Sequence, residues 1–317
     1  MKIIVFGKDG QLGKAFQKIF AITPFSKIAE IQFVGRSDVD LADQEGIRRI
    51  LNAFSPSIII NAAAYTAVDK AEDEVDIAYA VNAKAPEEMA QYAVKNNAMF
   101  LHYSTDYVFD GKKQGVYVEG DQRNPLCEYG RSKAAGELAI ETVFQKSTSG
   151  RFAIFRTSWV YGDGANFIRT ILRLAKERDQ LRIIADQYGV PTNADWLARV
   201  SVNFLFDQSL QLTPFPSGVY HVVPNGEITW YGLANLAIKS ALDQGIALKA
   251  KPEQISPILA VEYPLPAPRP QNSRLSNAKL HFLIEQQNDV TKLEHLNYSW
   301  EESVRQYVSQ LAQDRLI

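Results

Sequence analysis

The stretch KIIVFGKDGQLGKAFQKIF, residues 2 to 20, passes from an apolar run through three glycines into a helical pattern. Gly7, Gly10 and Gly13 fall directly between the strand and the helix. Lacking Cβ atoms, they permit a tight turn and let the backbone approach a pyrophosphate. The first helical turn, with Gln11 and Leu12, offers free N–H groups and the positive end of the helix dipole. The spacing G-x-x-G-x-x-G is one residue off the usual dinucleotide pattern G-x-G-x-x-G. A P-loop is excluded, because its x4 spacing fails and Lys14 is followed by Ala15. A glycine-rich turn without a ligand is the competing reading; the strand before it and the helix after it favour a dinucleotide.

Outward from this turn, short apolar runs recur as EIQFVG (30–35), SIIINAAA (57–64), AMFLHYST (98–105) and FAIFRTSWVYG (152–162). Helical patterns fill the spaces between them: 45–54, a long helical stretch ending at residue 97, 130–146 and 166–177. Near-continuous apolar strands separated by helices predict an α/β fold, a doubly wound parallel sheet of the Rossmann type whose ligands lie beyond the carboxyl ends of the strands. Residues 1–160 are expected to form the NADP-binding domain. Residues 161–317 are expected to form mainly a smaller C-terminal substrate-binding lobe plus a terminal helix, with later strands returning to the sheet. Candidate late elements are LRIIAD (181–186), a helix over 193–208, the strand GVYHVV (218–223), a helix near 230–243 and a C-terminal helix near 300–312. No repeat or low-complexity tract interrupts them.

With 317 residues, 46% of them hydrophobic, the chain can bury substantial cores. A formal charge of −2 provides no basic field for a nucleic-acid backbone or an anionic membrane. No apolar run approaches the roughly 20 residues that span a bilayer. The N-terminus reaches Lys8 and Asp9 too soon for a signal peptide, and the single cysteine, Cys127, excludes an intrachain disulfide. These features predict a cytoplasmic protein that acts on small molecules. The histidines at 102, 221, 281 and 295 lack metal-ligand spacing, and no G-x-S-x-G elbow is present.

The end of the second strand selects between dinucleotides, since an acidic residue there grips a ribose 2′-OH and a basic one a 2′-phosphate. The sequence FVGRSDVD places Arg36 and Ser37 at that point, which favours NADPH; Asp38 keeps NADH open. Asp40 and Leu41 are placed to border the adenine. NAAAY (61–65) closes the third strand with small side chains at Ala62, Ala63 and Ala64, followed by Tyr65, which leaves room for a cofactor.

In CEYGRSKAAGE, Tyr129 and Lys133 are four residues apart and so share one face at the start of a helix. A neighbouring ammonium and an oxidised nicotinamide are both expected to favour the phenolate, lowering the tyrosine pKa from its ordinary value near 10 toward neutrality, which suits proton donation to a carbonyl oxygen as hydride arrives at carbon. The preceding strand ends in STDYVFDG (104–111), turning abruptly polar at its carboxyl end.

The glycine turn, the Ser/Thr strand end and Y-x-x-x-K, in that chain order, resemble the extended short-chain dehydrogenase/reductase superfamily. Further motifs, including INAAAYTAVDKAE, VNA, HYSTDYVFDG, FRTSWVYG, DQYGVPT, TWY and RPQNSRL, are similar nearly end to end to the dTDP-4-dehydrorhamnose reductases. The resemblance implies NADPH-dependent reduction of the C4 ketone of dTDP-4-dehydro-L-rhamnose, in dTDP-rhamnose biosynthesis. It gives Thr105 the role of orienting the carbonyl, Tyr129 that of acid and Lys133 that of its activator. It also implies cofactor contact at Asn82 and substrate contacts at Asp106, Trp159, Gln187, Tyr231 and Arg274. Superfamily members that dehydrate the sugar tend to read S-T-D-E-V-Y-G here. Tyr107 replaces that glutamate, and a tyrosine cannot be the elimination base at neutral pH. An optional Mg2+ held by glutamates and associated with a homodimer is also implied. Ala15 stands where one glutamate is expected and Asp195 is the only nearby substitute, so no metal is assigned. Two alternatives remain open: a non-catalytic NADP-binding relative, such as the regulatory subunit of methionine adenosyltransferase, and an enzyme of the same fold acting on another nucleotide sugar.

Overall fold

The computed structural model describes residues 1–22, 25–287 and 289–317, save the side chain of residue 26. Five strands, β1 (Lys2–Phe6), β2 (Glu30–Val34), β3 (Ile58–Asn61), β4 (Met99–Thr105) and β5 (Arg151–Thr157), are joined by Gly218–His221 into one parallel sheet. The order across it is Gly218–His221, β5, β4, β3, β1, β2. The chain therefore winds in opposite directions from β1 and β3, and a crevice opens between their carboxyl ends. β2 forms the edge and is only partly buried, which leaves the residues just after it open to solvent.

Alternate side chains of the strands point to opposite faces. Ile3, Val5, Ile58, Ile60, Leu101 and Phe155 pack with helix α1 (Gln11–Ile22) and with the helix Ala194–Leu205. Ile4, Phe6, Ile59, Phe100 and Ile154 pack with the helices Gln44–Phe54, Ala85–Lys95 and Glu128–Gln145. Each fully buried side chain of this size stabilises the fold by about 1.5–3 kcal/mol.

Between β3 and the helix Ala85–Lys95 the single long helical stretch is not what forms. A 3-10 turn at Lys70–Glu72, a helix Val75–Tyr79 and a π turn Ala80–Lys84 precede that helix. The π turn accommodates one extra residue and directs Asn82 inward. The strand expected over 152–162 divides into β5 and the short segment Val160–Tyr161, with Trp159 between them at a positive φ of 47°. A separate apolar cluster gathers Ile168, Leu172, Leu181, Leu233, Ile238, Ile255, Val304 and Val308. It unites the helices Phe167–Glu177, Trp230–Asp243 and Trp300–Gln313 with the parallel pair Leu181–Ile184 and Ile255–Ile258. The helices Ala278–Glu285 and Val290–Leu296, which the sequence reading did not anticipate, pack onto the α1 face through Leu280, Ile284 and Leu296.

Candidate active site

At the crevice, Gly7 has φ +93°, and a Cβ there would stand 2.8 Å from the Ala62 carbonyl carbon and the Ala63 nitrogen. A Cβ on Gly13 would fall 2.0 Å from the Gly7 carbonyl oxygen. These two glycines let the β1 turn press onto β3 and α1 press onto the turn. Only Gly10 faces open space: its added Cβ would meet a single atom, the Gly7 oxygen, at 3.4 Å. Behind it, α1 begins with Gln11, Leu12 and Gly13 and has no acidic residue in its first turn. Exposed Gly10, with no side chain at the start of α1, leaves the helix N-terminus approachable by a pyrophosphate.

After β2, Arg36, Ser37 and Asp40 are exposed and Leu41 is half-buried; the first three border a surface depression with Val39 and Arg49. Asp38, exposed on the same depression, accepts from the Gly35 N–H at 2.7 Å and from Lys8 Nζ at 2.6 Å. The Lys8 ammonium holds its carboxyl below the usual range. Asp38 is thereby paired with Lys8, while Arg36 and Asp40 stay exposed on this rim. At the end of β3, Ala62, Ala63, Ala64 and Tyr65 are partly buried. Asn82 clamps this segment: its Oδ1 accepts from the Tyr65 N–H at 2.8 Å, and its Nδ2 donates to the Tyr65 carbonyl and to Ser132 Oγ, each at 3.0 Å. Its side-chain amide is therefore committed to the chain, and it shapes the cofactor rim through Tyr65.

β4 delivers Thr105 and Asp106 beside the N-terminal turn of the helix Glu128–Gln145. The Thr105 hydroxyl donates to Asp106 Oδ1 at 2.9 Å and accepts from the Tyr107 N–H at 3.2 Å. Burial raises the Asp106 carboxyl to about 6, with the Ser273 and Thr105 hydroxyls pulling the other way. Burial also pushes the Tyr129 phenol well up, although a hydrogen bond with Thr105 offsets part of this. In the protein alone, burial outweighs any lowering by the lysine. Lys133 Nζ instead lies 2.6 Å from the Tyr103 carbonyl oxygen and 3.1 Å from His102 Nε2, and burial lowers its own pKa to about 8. Tyr129 is consequently held as the neutral phenol, the form that donates a proton. The Tyr107 ring packs edge-on against it, with centroids 5.4 Å apart.

The RmlD substrate binding domain family model matches residues 1–312. The chain belongs to this family. It is 40% identical to a dTDP-4-dehydrorhamnose reductase of Escherichia coli (strain K12), over 98% of both chains. Among solved structures, a dTDP-4-dehydrorhamnose reductase from Clostridium acetobutylicum superposes with a TM-score of 0.83 at 32% identity, covering 98% of this chain and all of that one. One from Bacillus anthracis, in complex with NADP, gives 0.79 at 30% identity over 98% and 99% of the two chains.

Within this member of the family, Trp159 stacks on Trp230 with centroids 3.5 Å apart, a partner that sequence reasoning left inside the TWY motif without a role. Tyr231 follows it, half-buried, in the first turn of its helix. Gln187 is buried beside Tyr188, whose backbone pairs with the 271–273 segment. Arg274 crosses this junction. It donates to Asn272 Oδ1 at 2.8 Å and Glu227 Oε2 at 3.0 Å, and its guanidinium lies 5.4 Å from the Tyr188 ring centroid. Among the described residues no three His, Cys, Asp or Glu side chains converge as metal ligands. Ala15 is core, and Asp195 lies 3.5 Å from Lys18 Nζ. No helix among the described residues is long and apolar enough to cross a membrane.

Two further sets of residues support the site and were not singled out from the sequence. Arg156 on β5 grips Glu137 with Nε to Oε1 at 2.9 Å and Nη2 to Oε2 at 2.7 Å, both residues fully buried. This bidentate pair fixes the helix that carries Tyr129 to the sheet. Asn61 and His102 are neighbours in the register of β3 and β4, and both are fully buried on the side of Lys133. The signal available in sequence was polar residues inside apolar runs, IIIN and FLHY.

Proposed function

We propose that this chain reduces the C4 ketone of dTDP-4-dehydro-L-rhamnose to give dTDP-L-rhamnose, using NADPH. The observation that carries the reading is the buried Thr105–Tyr129 pair, its phenol held protonated, at the rim shared with the open N-terminus of α1. The turn at Gly7, Gly10 and Gly13 with Gln11 and Leu12, the rim Arg36, Ser37, Asp40 and Leu41, the segment 62–65 and Lys133 would hold the cofactor, which supplies hydride to the ketone carbon when bound. The Tyr129 hydroxyl gives its proton to the C4 oxygen. Thr105 orients that oxygen, and Asp106, Trp159 and Tyr231 bound the sugar. Gln187 supports the nucleotide side, and Arg274 exchanges its exposed Glu227 partner for the diphosphate, a planar fork suited to paired oxygens. The division into a cofactor domain over 1–160 and a lobe mainly over 161–317 belongs to this reading, supported by the separate apolar cluster of the late helices. A cytoplasmic location, where NADPH is made, and a homodimer complete it.

Purified protein supplied with freshly generated dTDP-4-dehydro-L-rhamnose is expected to oxidise NADPH, with slower turnover on NADH. Tyr129→Phe should lower kcat by about 10²-fold or more while cofactor binding persists. Well-folded protein that binds NADPH without turnover would instead support the regulatory reading.

A further inference from the structure

His102 is a fully buried histidine that the reaction above does not use, in a chain of hydrogen bonds whose direction is set at one end. Asn61 Oδ1 accepts from the Ala63 N–H at 3.2 Å. Its amide nitrogen must then face His102 Nδ1, 3.1 Å away, as a donor. A nitrogen that accepts carries no proton, so the neutral imidazole holds its hydrogen on Nε2. That nitrogen lies 3.1 Å from Lys133 Nζ. An ammonium at this point would set two donors against each other, whereas an amine offers a lone pair to Nε2–H and still donates to the Tyr103 carbonyl at 2.6 Å. The opposite tautomer only moves the conflict to Asn61, where Nδ1–H would meet an NH2 group.

We infer that His102, oriented by Asn61, is a positioning residue that favours the uncharged amine of Lys133 in the cofactor-free protein. Burial acts in the same direction on both groups, lowering the imidazole and the lysine. Of the other groups facing the lysine, Glu137 on its own helix favours the ammonium, but Arg156 from β5 takes up both of that carboxylate's oxygens. Tyr129, one turn away, is neutral, and the Asp106 charge from the turn after β4 acts on that phenol. Asn82 from the π turn is uncharged; it donates to Ser132 Oγ on this helix and sets its backbone carbonyl against Gly136. For the proposed reductase the consequence is a lysine that changes charge within the working pH range. This bearing on catalysis rests on the functional reading above; the charge itself does not.

The test uses the cofactor-free protein with 13Cε-labelled lysine, the Lys133 resonance being identified by its loss in Lys133→Met. It is expected to titrate near pH 8 rather than near the ordinary value of about 10.4. His102→Gln, whose amide can turn its oxygen toward Nζ, should raise the midpoint by at least about one pH unit, a tenfold change in proton affinity. Asn61→Asp should raise it too, because its carboxylate accepts from Nδ1–H and leaves Nε2 free to accept from the ammonium; it decides the matter if His102→Gln does not fold. An ordinary midpoint in the parent protein, or one that neither variant moves, overturns the inference. In turnover, the alkaline limb of kcat/KM should move up in step, and a limb that stays while the resonance moves overturns the link to catalysis. Absence of any turnover refutes the reductase reading and leaves the titration to judge His102.

Discussion

Gly13→Ala and Gly10→Ala should separate folding from cofactor binding within one turn. At Gly13 the added methyl would sit 2.0 Å from the Gly7 oxygen, 2.7 Å from its carbonyl carbon and 2.8 Å from Lys8 Cα. All three are backbone atoms, so α1 must move off the β1 turn, against its packing on the helix Ala194–Leu205. Overpacking of this kind costs about 1–3 kcal/mol, and a backbone obstacle with no flexible end puts this site at the upper end. The gain in helix propensity, at most about 1 kcal/mol, leaves a net loss near 2 kcal/mol. At roughly 2 °C per kcal/mol for a chain of this size, the melting temperature should fall by about 4 °C. The methyl of Gly10→Ala meets only the Gly7 oxygen, at 3.4 Å, so stability should change by less than about 1 kcal/mol. It stands in the approach assigned to the pyrophosphate, and the NADPH Kd should rise about tenfold or more, equivalent to 1.4 kcal/mol. Thermal melts give the first pair of values and quenching of tryptophan fluorescence by cofactor gives the second. A Gly13→Ala protein that melts with the parent refutes the packing argument; normal NADPH affinity in Gly10→Ala refutes the placement of the cofactor.

Removing the charge of Glu137 with Glu137→Gln leaves the Arg156 guanidinium buried without its counter-charge and should lower stability by about 3–5 kcal/mol. Urea unfolding with an unchanged m-value would report this, and a loss below about 1 kcal/mol would show that the pair is dispensable. Asp106 gives a pH signature. Its folded pKa, about 6, lies above an ordinary carboxyl value of 3.8, so the folded state binds the extra proton and stability from this group falls as pH rises through that window. The upper bound is about 3 kcal/mol, and Asp106→Asn should flatten the slope of unfolding free energy between about pH 4 and pH 6. An identical slope in parent and variant would place the carboxyl outside the buried environment described.

Sequence alone carried the first level of organisation. The runs at 2–7, 57–64 and 98–105 are nearly continuous apolar stretches because both faces of those strands are covered, the edge run 30–35 alternates at Glu30 and Gln32, and three glycines at a strand-helix junction place the turn. The polar strand end at Thr105 and the i, i+4 spacing of Tyr129 and Lys133 were visible in the sequence, and the family resemblance, not the spacing, gave them roles. What each residue does there depended on neighbours distant in the chain. Gly7 and Gly13 proved to be contacts of backbone on backbone, Asp38 turned toward Lys8, and Asn82 closed on Tyr65 from a π turn that no periodicity announces. The charge of Lys133 lies furthest from the sequence. Spacing places it beside Tyr129, but burial and a donor on His102, reached from β3 through Asn61, determine which protonation state the fold prefers. Local pattern fixes which residues share a face; only the packed sheet fixes dielectric and hydrogen-bond direction, and with them the acid–base state of the site.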